Sequence, residues 1–291
     1  MNCRGIPQST GGNLNMGLKD ILVHVDSTSQ SATRVEVAAR LAHQHDAHLT
    51  GIYVISSPHI SPTQDFGQLP VEYIEQREKD SGDRAIVAEK SFLNIADQHG
   101  VTHEWRCETG LALDIISMNS RYSDVVILGQ RDPNNAEDFG DLPDGIIMTS
   151  GRSVLVIPYT GKVESLGKRV MIGWDGSAQA ARAIHDSIPL IAAADRVDII
   201  AVNPNGSGDH GETPAADISL HLARHGIKTE AQSITVNDIG IADILLSRAS
   251  DRGIDLFVMG AYGHSRWREL VLGGVTAHML EHMTMPVLMA H

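Results

Sequence analysis

At 291 residues, with 42% hydrophobic and 20% charged side chains, the chain is long enough for two domains of ordinary size, each with its own core. A formal net charge of −13 disfavours nonspecific binding to nucleic acid or to an anionic membrane, which relies on clustered Lys and Arg, and no apolar run is long enough to span a bilayer. Cys3 and Cys107 are too few for a disulfide framework, so a reducing, cytoplasmic setting is expected.

Met1–Asn15 is polar, lacks the apolar segment of a secretory signal, and reads as a disordered leader; Met16 is a second candidate start and the leader is bounded at residue 17. The run Lys19-Asp-Ile-Leu-Val-His-Val-Asp26 predicts a buried strand ending in Asp, and Arg169-Val-Met-Ile-Gly-Trp-Asp175 predicts another. Each is followed by a Ser-containing turn and a helix, Ala32–Gln44 with Val35, Ala38, Ala39 and Leu41 inward, and Ala178–Ile191 with Ala181, Ile184 and Ile188 inward. Strands at Leu49–Ile55 and Val197–Val202 come next, then helices at Val71–Gln98 and Pro214–Arg224, closed by Gly100 and Gly226 as C-terminal caps.

Third strands are expected at Val101–Cys107 and Ile227–Val236, and third helices at Leu111–Ser120 and Ile241–Arg252. Fourth strands end at Gly129 and Gly260, and Ser153–Pro158 matches Pro286–His291 as a fifth. The chain is therefore a duplicated β-α-β-α-β-α-β-α-β unit, 18–158 and 168–291, joined by a polar linker at 159–167. Alternating strands and helices imply an α/β fold with a parallel sheet covered on both faces.

The stretch Gly260-Ala-Tyr-Gly263-His-Ser-Arg266-Trp-Arg268-Glu-Leu-Val-Leu-Gly273-Gly274-Val275-Thr276 combines a strand exit, a glycine turn, basic residues and a helix expected from Gly273 to Met283. Glycines permit positive φ and close backbone approach, and a helix start offers unpaired N–H groups to an anion, so this is the layout of a phosphate cradle.

Its spacing, Gly-x2-Gly-x9-Gly on Gly260, Gly263 and Gly273, resembles the nucleotide-binding signature of the universal stress protein family, and the duplication resembles a tandem member. The resemblance implies two Rossmann-like, adenine nucleotide alpha hydrolase-like domains, each a five-stranded parallel sheet of order 3-2-1-4-5, packed as a pseudo-dimer through their last strands. Ligands then bind beyond the strand ends where the order reverses. It further implies an adenine nucleotide, ATP or AMP, with or without Mg²⁺, bound by Asp175, Val202, Gly260, Gly263, His264, Arg266, Gly273, Gly274, Val275 and Thr276. Asp175 is expected near adenine or ribose, with capping of the next helix as its structural alternative, and the backbone of Val202 at the adenine edge. One departure concerns Gly274, where the family usually places Ser or Thr; the hydroxyl contact to phosphate is lost unless Thr276 supplies it.

The corresponding stretch of the first unit, Gly129 to Asp144, puts Asp132 in the place of Gly263 and Asp141 in that of Gly274, with Glu137, Asp138 and Asp144 nearby. Carboxylates there repel a phosphate chain, so the first unit is expected to have lost nucleotide binding and to serve as a structural partner. No Gly-x4-Gly-Lys-Ser/Thr occurs, and no general base stands out, so no catalytic residue is assigned and at most slow ATP hydrolysis is expected. His278 and His282, four apart, and the group His43, His45 and His48 are read as surface histidines rather than metal ligands, and Met279, Met283, Met285 and Met289 as core. The functional expectation is a stress-response regulator acting through nucleotide-dependent conformation or a regulatory protein partner, with a homodimer of the tandem chain a further expected assembly. The alternatives are a scaffold or small-ligand binder with both sites degenerate, and a weak ATP hydrolase.

Overall fold

The computed structural model describes residues 17–56, 71–132, 142–202, 215–234, 240–262 and 274–291. In the first half the order is β1 (Asp20–Val25), α1 (Ser31–His45), β2 (His48–Ser56), α2 (Val71–His99), β3 (His103–Gly110), α3 (Ala112–Ser120), β4 (Val125–Gly129), α4 (Leu142–Thr149) and β5 (Ser153–Ile157). The second half repeats it with β6 (Arg169–Trp174), α5 (Ala178–Ile191), β7 (Arg196–Val202), α6 (Ala216–Arg224), β8 (Thr229–Ile234), α7 (Ile241–Asp251), β9 (Leu256–Gly260), α8 (Gly274–His282) and β10 (Val287–Ala290).

All ten strands form one sheet in the order β3-β2-β1-β4-β5-β10-β9-β6-β7-β8, so each half has the expected order 3-2-1-4-5. Sequence chemistry accounts for the positions. The central strands β4, β5, β9 and β10 are short apolar runs buried on both faces, whereas β3 (HEWRCETG) and β8 (TEAQSI) carry polar residues and lie at the two edges. The halves meet where β5 pairs antiparallel with β10, Val156 opposite Val287, Leu155 opposite Leu288 and Val154 opposite Met289. Helices α1, α2, α5 and α6 cover one face of the sheet and α3, α4, α7 and α8 the other, each layer burying its own apolar cluster. Met279, Met283, Met285 and Met289 are core, as expected.

Both halves fasten the start of their first strand with the same device. Asp124 Oδ2 accepts from Lys19 N (2.6 Å) and Asp20 N (3.0 Å), and Asp255 Oδ1 accepts from Lys168 N (3.0 Å) and Arg169 N (2.9 Å). The connecting segment is strapped to both sides: Arg40 of α1 donates to the carbonyls of Val163 and Glu164, and Ser165 Oγ donates to Asp255. Asp198, inside β7 and fully buried, is held by Arg196 Nε (2.8 Å) and by Arg252 Nη1 (2.9 Å) just past α7.

Several expectations need correction. β3 spans His103–Gly110 rather than Val101–Cys107, because Val101 is taken up in closing α2, its N–H bonded to Ala96 O. Asp144 belongs not to a loop but to the first turn of α4, where Pro143 leaves no intrahelical bond unmade and an acidic residue complements the helix dipole. His45 is buried at the end of α1 rather than solvated, and burial, with Lys19 nearby, lowers its pKa.

Candidate functional site

The site is set by three adjacent strand ends. β6 lies between β7 and β9 with Trp174 opposite Ala201 and Gly173 opposite Met259, so Asp175, Val202 and Gly260 emerge at one edge of the sheet where its order reverses. Gly176, at φ +77°, turns the chain into α5, and Asp175 Oδ1 accepts from Ser177 N at 2.9 Å while the carboxylate stands exposed. The cap of α5 is Ser177, whose Oγ accepts from Ala180 N at 3.1 Å, which corrects the structural alternative given above for Asp175.

Gly260 is needed for closeness rather than for an unusual φ. A Cβ there would lie 2.5 Å from Ala180 N and 2.8 Å from Gln179 C, in the backbone of the first turn of α5. Gly274 differs: it begins α8, is exposed, and an added Cβ would meet nothing within 4 Å. Val275 packs against the apolar cluster of that face. Thr276 is buried, and its hydroxyl accepts from Tyr262 N at 3.4 Å, so it braces the strand exit from beneath. Gly263, His264, Arg266 and Gly273 lie outside the described residues; of the others singled out by sequence, Asp175, Val202 and Gly260 share neighbouring strand ends, and Gly274, Val275 and Thr276 open α8, joined to the β9 exit through Thr276 and Tyr262.

The first half has the same frame and different contents. Asp26 directly follows β1 as Asp175 directly follows β6, but eight residues on from Asp26 is Arg34; the same count from Asp175 reaches Ala183. Arg34 is buried inside the crevice, donating from Nη2 to Asp26 Oδ2 (2.7 Å) and from Nε to His24 O (2.6 Å), and it fills the place a Cβ on Gly129 would take. Burial alone would raise the Asp26 pKa, but the Arg34 guanidinium, with His24 and hydrogen bonds from Thr28 and Arg34, holds it well below the usual carboxylate range. Burial lowers His24 to about 4, Asp26 opposing and Arg34 reinforcing the shift, so this imidazole is neutral at pH 7. What remains among His24, Arg34, Gly129, Gln130 and Tyr159 is a cavity of about 40 Å³, little more than a water.

Sequence reasoning missed Arg34, which reads as a surface residue of an amphipathic helix, and two links between the halves. Gln130, just past β4, is buried and donates from Nε2 to the carbonyls of Leu280 (2.9 Å) and Glu281 (3.0 Å) in the last turn of α8. Tyr262, just past β9, donates its hydroxyl to Asp144 Oδ1 of α4. The zinc-like spacing of His278 and His282 has another use: His278 Nε2 meets Asp243 Oδ1 of α7 at 2.7 Å, and the two rings stack at 4.1 Å. Among the described residues no group of three or more His, Cys, Asp or Glu is placed to hold a metal ion.

Comparison with known proteins agrees with this architecture. The model of the universal stress protein family matches twice, at residues 17–158 and 167–291. A universal stress protein of Synechocystis sp. is 30% identical over 186 residues, 62% of this chain and 62% of the relative, so the alignment spans less than two thirds of that protein. Among solved structures, a universal stress protein from Archaeoglobus fulgidus superposes with a TM-score of 0.72 at 15% identity, covering 93% of this chain and 95% of that one. One from Pseudomonas aeruginosa, a putative member by its own description, gives 0.60 at 12% identity, covering 96% and 95%. No described helix is long and apolar enough to cross a membrane. With two matches that together take in nearly all of the duplicated unit, the chain belongs to the universal stress protein family as a tandem member.

Proposed function

We propose that the second repeat, residues 168–291, binds one adenine nucleotide, ATP or AMP, and that occupancy regulates the protein's conformation or its hold on a protein partner. The observation that carries this reading is the contrast between two aspartates at equivalent strand ends. Asp26 is neutralised in place by Arg34, whereas Asp175 stands exposed and the residue at the matching count in α5 is Ala183. An exposed carboxylate at a sheet reversal can accept hydrogen bonds from ribose hydroxyls or an adenine amine. The glycine stretch beyond Gly260 supplies backbone N–H groups and the basic residues His264 and Arg266 for phosphate. Family membership supports the same reading. The chain is proposed to bind rather than turn over its nucleotide, since the residues assigned here position a ligand and none is assigned as a general base.

Calorimetry with ATP should give one site per chain, and mass spectrometry of supernatant from denatured protein should find co-purified adenine nucleotide. Asp175→Asn should weaken ATP and adenosine alike, by about tenfold for one charge-assisted hydrogen bond lost. Two equivalent sites, or no uptake at all, would overturn the assignment.

A second reading is favoured by a groove of about 520 Å³ in the first repeat, between the β1–α1 turn and α2, where Ser27, Ser29, Ser31 and Arg84 face Val87 and Phe92. Its size suits a small organic ligand. A ligand bound equally well by wild-type and Asp175→Asn protein, and excluded by Ala88→Trp, would place binding there.

A further inference from the structure

Tyr262 stands inside the glycine signature, between Gly260 and Gly263, and it is one of only two non-glycine residues with positive φ among those described, at 53°. The other, Asp46, closes a helix, where the left-handed conformation is ordinary. A tyrosine gains nothing local from that conformation and needs its surroundings to hold it.

Those surroundings come from three elements. Its N–H donates to Thr276 Oγ1 of α8 at 3.4 Å. Its ring lies edge-on to His291, 6.5 Å between centroids, and His291 in turn bonds Ala261 O through Nδ1 at 3.1 Å. Its hydroxyl donates to the Asp144 carboxylate, 118 residues earlier in the chain and on a helix of the other repeat. Of these three contacts, the first two belong to the second repeat and the third crosses the boundary.

We propose that Asp144 is a positioning residue for the ligand site of the second repeat: by holding the Tyr262 hydroxyl it fixes the left-handed turn at the exit of β9, two residues past Gly260. The first repeat, whose own crevice is plugged by Arg34, thereby completes the site of the second without touching ligand. This rests on the nucleotide reading above, and it makes the two repeats one functional unit rather than a site with a passive neighbour. The charge of Asp144 works against bound phosphate, so its use here is specific to the hydrogen bond it accepts. An asparagine, which keeps a carbonyl acceptor, serves the same purpose.

The test uses the full chain. Asp144→Ala should weaken ATP binding about three- to tenfold by calorimetry, and Asp144→Asn should stay within about twofold of wild type. Glycine adopts positive φ without help, so in a Tyr262→Gly background Asp144→Ala should change ATP affinity by less than about twofold. Hydrogen–deuterium exchange without nucleotide supplies a readout independent of binding, and amides of a peptide ending at Tyr262 should exchange faster in Asp144→Ala while the melting temperature changes little. If wild-type protein binds ATP, and Asp144→Ala binds it equally with unchanged exchange, this proposal falls and the nucleotide reading stands. If wild-type protein takes up no nucleotide, the reading itself falls and the proposal with it. Equal losses from Asp144→Ala in the Tyr and Gly backgrounds would show that Asp144 acts on the fold at large and would also overturn it.

Discussion

Replacing His24 with Phe should flatten the acid side of the stability curve. His24 is 3% exposed on β1, beneath the Arg34–Asp26 pair, and its pKa falls from 6.5 to about 4 mainly because burial disfavours the charged ring. Between those values the unfolded chain carries more protons on this residue than the folded one, so stability is fully present above pH 6.5 and is lost as pH falls towards 4. A difference of about 2.5 units at 1.36 kcal/mol each amounts to roughly 3 kcal/mol in total, of which about 2 kcal/mol is gone by pH 5. Because the site is buried, solvent screening takes little from that figure. Urea unfolding of wild-type and His24→Phe protein between pH 7.5 and 5 should therefore show the wild-type stability minus the variant stability falling by about 2 kcal/mol, whatever its value at neutral pH. Parallel curves across that interval would mean that His24 is hydrated or charged in the folded protein rather than buried and neutral beside Arg34.

Glycine substitutions should separate packing from ligand contact. Gly260→Ala places a Cβ 2.5 Å from the backbone of α5 and should cost about 1–3 kcal/mol in denaturant titrations, whereas Gly274→Ala, with open space at a helix start, should be neutral or slightly stabilising. Gly274→Ser restores the hydroxyl usual in the family and should tighten ATP about tenfold while leaving adenosine unchanged; tightening of both would assign the effect to the fold. Gly263→Asp, which copies Asp132 of the first repeat, should weaken ATP far more than adenosine, and equal losses would remove Gly263 from the phosphate site. Asp198→Ala leaves Arg252 facing a buried void and should lower stability by about 3 kcal/mol, with an effect below about 1 kcal/mol showing that water replaces the carboxylate.

The strands were legible because a parallel sheet buried on both faces demands uninterrupted apolar runs, and Val125–Gly129, Ser153–Ile157 and Leu256–Gly260 are such runs. The duplication was legible because each run recurs with the same aspartate and glycine punctuation. Helix α4 was implied by the repeat but not marked locally, since Leu142-Pro-Asp-Gly145 carries the marks of a turn and becomes helical by burying Leu142, Ile146 and Ile147 against the sheet. Nor was the role of Arg34: on an alanine-rich helix it reads as a solvated cation, and only the fold-back of β1 onto α1 brings Asp26 and the His24 carbonyl within reach. Gln130 and Tyr262 carry no local signal at all, because their partners lie 150 and 118 residues away. What sequence supplied of the site was its glycines and its strand-end aspartate; which repeat is plugged, and by what, is a matter of side-chain direction that periodicity in α1 did not resolve.

The β5–β10 seam has a consequence for how the two repeats can diverge. Its register pairs Val154, Leu155 and Val156 with Met289, Leu288 and Val287, a short ladder to join separate subunits. Within one chain the two strands meet at an effective concentration set by the connecting segment, on the order of millimolar for a short tether, so little intrinsic affinity is demanded of the seam. Covalent joining also breaks the rule that every substitution in a two-fold dimer appears twice. One copy can then acquire an arginine plug and a carboxylate aimed at its neighbour while the other keeps an alanine and an exposed aspartate, a division of labour that no homodimer of identical halves could encode.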